Sequence, residues 1–163
     1  GEGSLHASVL SCADCHMEEK EGYTSHEWVS PLENETLLAS CASCHGDIDV
    51  VEKTKAIQAE VTAKEKEVGE KLAELKTALA EAVAAGTYSE DELNTVRSKY
   101  RDAQWYWDFC YVENSEGAHN SALSKRCLDN ADALIAEGME LLGTVEVPES
   151  SNENGVIGVP VSL

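Results

Sequence analysis

The pattern Cys-x-x-Cys-His occurs twice near the start of the chain, as Cys12-Ala13-Asp14-Cys15-His16 and Cys41-Ala42-Ser43-Cys44-His45. Two intervening residues hold a pair of thiols where both can bond one edge of a porphyrin, and the next residue falls where its imidazole can reach the iron. Paired Cys-x-x-Cys motifs also build zinc sites. Zinc, however, has no need of a histidine directly after both second cysteines. The duplicated motif takes four of the six cysteines in the chain, and it predicts two covalently attached haem c groups. Cys12, Cys15 and His16 would hold one, and Cys41, Cys44 and His45 the other.

The 163 residues suggest a single domain. Its aromatic supply is thin, with three Trp, five Tyr and one Phe, and two buried porphyrins would provide the missing apolar surface. A formal charge of −19 argues against nucleic acid and anionic membrane surfaces and favours a basic redox partner. High net charge also serves solubility alone. No stretch reaches the roughly 18 apolar residues that a membrane span needs. Haem is attached to such motifs outside the cytoplasm, so a periplasmic or extracellular protein whose secretion signal has been removed is expected.

The fold class expected is mostly α. Residues 1–50 read as a loop-rich region with short helices, carrying both attachment motifs and broken by Gly22, Ser30-Pro31 and Asn34. Residues 51–143 read as a helical region completing the same domain. From Val50 to Ala85 the sequence turns to Ala, Glu, Lys and Leu, strong helix formers. Ile57, Val61, Val68, Leu72, Leu75, Leu79 and Val83 form its apolar stripe, interrupted at Lys64 and Gly69. Gly86 closes that helix, and Ser89-Glu90-Asp91-Glu92 is a capping box for the next. There Leu93, Val96, Tyr100, Ala103, Trp107 and Cys110 face inward, with Trp105 and Phe109 on a neighbouring face. Asn114 to Asn120 reads as a turn. A third helix from Ser121 to Gly143 turns Leu123, Cys127, Ala131 and Ile135 inward, and Met139 reads as core. Residues 144–163 read as a tail.

Each iron needs a second axial ligand. With His16 and His45 committed, His6, His26 and His119 remain from the five histidines of the chain. Met17 starts on the same side of the ring as His16, so bis-histidine ligation is expected for both groups. Cys110 and Cys127 lie nearly symmetrically about the turn at Gly117 to His119, on inward stripes of two antiparallel helices. A disulfide between them is expected in an oxidising compartment, worth about 3 kcal/mol in the chain-entropy model. Two buried free thiols are the alternative.

The chain resembles the C-terminal dihaem part of the pentahaem ammonia-forming cytochrome c nitrite reductases. The resemblance is carried by Leu5-His6, Cys12 to Met17, Tyr23-Thr24-Ser25-His26 with Ser30-Pro31-Leu32, and Cys41 to His45. It continues in Ala103-Gln104-Trp105-Tyr106-Trp107-Asp108-Phe109 and in Glu113 to Asn120. It implies a multihaem cytochrome c in which a long-helix hairpin and a third helix follow the haem-binding part. It further implies that His119 is the distal ligand opposite His16, and His6 the one opposite His45. The His6-to-Cys12 spacing is one residue shorter than the usual pattern. His26 matches a ligand to a haem bound by the family's N-terminal part, so it is a spare or interchain ligand here.

That N-terminal part, with the catalytic haem, its lysine ligand, the substrate-binding residues and the calcium site, has no counterpart in this sequence. The expectation is therefore an electron-transfer protein and not an enzyme, carrying electrons between redox partners through two bis-histidine haems. The alternatives are a structural subunit of a cytochrome dimer or filament, and a fragment or subunit of a nitrite reductase-like enzyme. A homo-oligomer is expected in either case, because the family's homodimer contact uses the same helices.

Overall fold

The computed structural model describes residues 5–143, apart from the side chain of Ala7. The expected tail, residues 144–163, lies outside the described residues. In chain order the elements are α1 (His6–Val9), α2 (Cys12–His16), β1 (Glu19–Lys20) and β2 (Tyr23–Thr24). A 3₁₀ turn at Pro31–Glu33 follows, then α3 (Glu35–His45), α4 (Val50–Ala85), α5 (Glu90–Tyr111) and α6 (Ser121–Gly143). The mostly helical class and the order of long helices match expectation. The small antiparallel hairpin, pairing Glu19 with Thr24 and Lys20 with Tyr23, was not expected. It turns at Gly22, whose φ of +86° suits a residue without a Cβ.

The boundaries have local causes. Asp49 caps α4 by accepting from the Glu52 N–H at 2.8 Å. Gly86 ends α4 in the left-handed region at φ +67°. At the start of α5 the Glu92 carboxylate accepts from the Ser89 N–H at 2.7 Å and the Ser89 hydroxyl at 2.6 Å. Asn34, read in the sequence as a breaker, accepts from the Leu37 N–H at 3.0 Å and so starts α3.

The buried core lies between α4, α5 and α6. Val61, Val68, Leu72 and Leu75 meet Val96, Ala103 and Cys110 of α5 and Cys127, Leu128, Ala131 and Ile135 of α6. Both interruptions of the α4 stripe have partners. Lys64 pairs with Asp129 of α6. Gly69 lets the Trp107 ring approach, since a Cβ there would lie 3.0 Å from Trp107 Nε1. Trp107 Nε1 in turn donates to the Glu65 carbonyl at 2.9 Å.

Two core assignments are corrected. Val83 is 46% exposed and Ala82 is buried in its stead. At 3.6 residues per turn Ala82 lies about 20° round the helix from Leu75 and Val83 about 80°. Met139 is 41% exposed, because Gly138 takes the inward position, with Leu75 3.0 Å from where its Cβ would be.

The first fifty residues contrast with this bundle. Of their described hydrophobic side chains only Leu37 is buried, while Leu5, Val9, Leu10, Tyr23, Trp28 and Ile48 are exposed. That segment has almost no core of its own; Trp28, Val29, Pro31, Leu32 and Leu38 instead line a hollow.

Candidate functional site

The hollow is a cavity of about 480 Å³ between the N-terminal segment, the first turns of α4 and the α5–α6 loop. His6, Cys15, His16, Cys41, His45 and His119 line it. Its other walls include Val29, Pro31 and Leu38 on one side and Val50, Ile57 and Gln58 of α4 on the other.

Local structure delivers each group. Helix α2 is tied at its start by Asp14, whose carboxylate accepts from the Ser11 N–H and hydroxyl, both at 2.6 Å. One further turn places Cys15 and His16 at the cavity. Helix α3, capped by Asn34, ends on the second motif, so Cys41 and His45 reach the same space. Cys12 and Cys44 are exposed beside it, and Cys15 and Cys41 are half-buried. Burial, followed by the neighbouring Cys41, pushes the Cys15 thiol up from its ordinary value.

Four imidazoles converge in two pairs. The His16 and His119 ring centres lie 5.9 Å apart with planes at 76°, and those of His6 and His45 lie 5.6 Å apart at 82°. Two imidazole nitrogens sharing one metal each sit about 2 Å from it, which puts the ring centres about 6 Å apart. Both pairs approach that spacing. The sequence brings the partners together from afar, His6 with His45 and His16 with His119. The short His6-to-Cys12 spacing is accommodated by α1, the single helical turn carrying His6.

The hydrogen bonds fix which nitrogen is free. His16 Nδ1 donates to the Val29 carbonyl at 2.8 Å, and His119 Nδ1 donates to Glu113 Oε1 at 2.9 Å. Neither a carbonyl nor a carboxylate can donate, so in both neutral rings Nε2 is left as the bare ligand atom. Trp28 stacks on His16 with ring centres 4.8 Å apart and planes at 8°. Sequence reasoning missed Trp28, Val29 and Glu113 as parts of the site. Only Glu113 carried a signal, as the carboxylate opening the Glu113–Asn120 motif.

His26 is exposed and lies away from the cavity wall. The neighbouring Ser25 is buried, its hydroxyl accepting from the Glu27 N–H at 3.2 Å, which fixes the loop beneath His26. Cys110 and Cys127 do face each other across α5 and α6, both buried. In this structure the two are free thiols that meet through a hydrogen bond. Cys110 also donates to the Ser124 carbonyl at 3.4 Å. Burial, then the neighbouring Cys127 and Glu65, pushes the Cys110 thiol up to about 12. Among the described residues no three His, Cys, Asp or Glu side chains gather as a structural zinc site requires. Nor is any helix there long and apolar enough to cross a membrane.

A helical chain whose Cys-x-x-Cys-His motifs and facing imidazoles surround one apolar hollow is a c-type cytochrome. It belongs to the cytochrome c552 family, whose model matches residues 2–156. The chain is 28% identical over 151 residues to a cytochrome c nitrite reductase subunit NrfA of Nitratidesulfovibrio vulgaris, covering 85% of this chain and 29% of that protein. It is 33% identical over 120 residues to a cytochrome c-552 of Aliarcobacter butzleri, covering 68% and 23%. The solved cytochrome c nitrite reductase from Desulfovibrio desulfuricans superposes with a TM-score of 0.71 at 26% identity, over 86% of this chain and 30% of that one. The chain thus spans under a third of the length of these relatives.

These matches correct one expectation. The protein was expected not to be an enzyme, yet the Nitratidesulfovibrio vulgaris and Desulfovibrio desulfuricans relatives are nitrite reductases by name, and the solved one is described as a catalytic subunit. That expectation rested on the resemblance alone, and the chain covers only 29% and 30% of these two proteins.

Proposed function

We propose that this chain is the electron-relay part of an extracytoplasmic cytochrome c with two haem groups. Cys12 and Cys15 would hold one group by thioether bonds, with His16 and His119 as its axial ligands. Cys41 and Cys44 would hold the second, with His45 and His6. The observation that carries this reading is the pairing of four imidazoles across one apolar cavity that the two motifs also reach. A bound haem c supplies one-electron exchange. The chain's own residues do the rest: His16 and His119 are held in the tautomer that presents Nε2, and Val29, Pro31, Leu38 and Ile57 keep water from the space between the ligands.

Denaturing mass spectrometry tests the count, with the polypeptide plus two haem masses expected. Electron paramagnetic resonance of the oxidised protein should show low-spin iron only. His119→Ala should open one iron and leave the other unchanged. A bare chain, one haem, or a large high-spin signal in the unsubstituted protein would refute this ligand set.

A second reading is favoured by the relatives: the relay serves a nitrite reductase-like enzyme of which these residues form part. Its test is nitrite reduction by the complete native protein. Loss of that activity in His119→Ala, with the remaining haems intact, would support it. Both readings place the protein in the periplasm or outside the cell, with a basic redox partner matched to the acidic chain. We further propose that the exposed Trp105 and Phe109 face contributes to a homo-oligomer, and that His26 is a surplus ligand displayed to a neighbouring chain. The thiols of Cys110 and Cys127 would close a disulfide in an oxidising compartment.

A further inference from the structure

Between α5 and α6 the chain makes a tight loop around one carboxylate. Glu113 Oε1 accepts from the Ser115 N–H at 3.0 Å and from His119 Nδ1 at 2.9 Å. Its Oε2 accepts from the Ser115 hydroxyl at 2.7 Å and the Gly117 N–H at 2.9 Å. The Ser115 hydroxyl oxygen receives the His119 N–H at 2.9 Å. One acidic side chain therefore organises the loop backbone and also grips the imidazole that faces His16. The other ligands are held differently. His16 leans on a neutral carbonyl, that of Val29. Among the described residues neither His6 nor His45 has a carboxylate within ion-pair reach.

A carboxylate bonded to the far nitrogen of a ligating imidazole fixes its tautomer and raises its basicity. A more basic axial ligand stabilises the ferric over the ferrous state, and hydrogen bonding of this kind is one of the means by which a protein sets a haem potential. We propose that Glu113 is a positioning residue that acts through His119 to set the haem at Cys12, Cys15 and His16 at a lower potential than carbonyl or water contacts to that ring would give. This rests on the assignment of His119 as an axial ligand. A carboxylate thus bonds a ligand of one site and none of the other, so that the His45–His6 site is the preferred resting place of an electron.

The test is an optical redox titration of the haem-loaded protein and its Glu113→Gln variant. Glutamine keeps the length and a hydrogen-bond acceptor but removes the charge. The expected result is a shift of about tenfold in the one-electron equilibrium of the His16–His119 haem toward the reduced form, about 59 mV, with the other haem unmoved. Glu116→Gln removes an exposed charge from the same loop and leaves Glu113 and the ring in place, so it should leave both potentials unmoved. An unshifted potential in Glu113→Gln, or an equal shift in Glu116→Gln, overturns the proposal. His119→Ala separates the two layers of argument. If it leaves both irons low-spin, the ligand assignment itself is wrong. If it opens one iron while Glu113→Gln changes nothing, only the role of Glu113 falls. Should Glu113→Gln fail to take up haem, Glu113→Asp decides the matter: it keeps the charge but shortens the reach to the ring. The same haem should then shift in the same direction as expected for glutamine, and an unmoved potential overturns the proposal.

Discussion

Gly117 presses against Val61 of α4: a Cβ built on it would lie 2.7 Å from Val61 Cγ2. The same glycine has φ +86° and donates its N–H to Glu113. The loop carrying His119 is thus seated on the long helix at a point where no side chain fits.

Gly117→Ala should therefore cost more than backbone strain alone. Gly22 provides the comparison, since it shares φ +86° but has nothing within 4 Å of its Cβ position. Strain of this type costs about 1–3 kcal/mol. Chemical denaturation should show Gly22→Ala within that range and Gly117→Ala beyond it. Only Gly117→Ala should also perturb the haem spectrum, because the loop must lift away from Val61.

Gly69 and Trp107 make a second such contact, inside the bundle. Gly69→Ala should push the indole off its seat and lose its bond to the Glu65 carbonyl. A buried hydrogen bond left unmade costs about 1–3 kcal/mol. Trp107→Phe removes the donor while keeping most of the ring, so it should destabilise by a comparable amount. If the two losses in melting free energy add fully in the double variant, the contact is not what links them.

The capping box at the start of α5 predicts a pH dependence. Ser89→Ala should cost about 1 kcal/mol near neutrality. The Ser89 hydroxyl and N–H hold the Glu92 carboxyl below its ordinary value. A group depressed in this way contributes fully above its unfolded pKa, and the contribution disappears as pH falls through the folded value. The penalty of Ser89→Ala, followed by urea titration at several pH values, should shrink on acidification through the carboxylate range.

Cys110 and Cys127 should resist alkylation in the folded, reduced protein near pH 7.5. Both are buried, and a Cys110 thiol at about 12 supplies almost no thiolate. After unfolding without reductant, peptide mapping of protein from an oxidising compartment should recover the two in one linked species. Alkylation of both under those conditions would leave them as free core thiols.

The long helices could be read in the sequence because their causes are local. Asp49, Gly86, Ser89 and Glu92 set ends that involve only nearby backbone, and the Val50–Ala85 and Ser121–Gly143 bounds follow from such signals and from helical periodicity. The attachment motifs are likewise contiguous. What was not readable depends on other segments. Whether Ala82 or Val83 turns inward depends on how α5 and α6 cross α4, and Met139 is turned out because Gly138 meets Leu75. Trp28 on His16, Val29 as a backbone acceptor and the grip of Glu113 on His119 all arise from loop geometry, for which sequence spacing carries no periodic signal. The pairing of His6 and His119 with their partners came from resemblance, and the fold brings the same residues face to face.

The 36-residue helix α4 has one further consequence. Its wall contribution to the cavity ends at Gln58, and its tip at Ala85 is about 40 Å farther along the axis. There Gly86 and Thr87 are exposed, while Tyr88 is fastened by its hydroxyl to the Leu142 carbonyl. The molecule thus carries a built-in handle. A tether placed at Thr87, for fixing the protein to an electrode or a bead, would hold it upright without touching any group that faces the hollow.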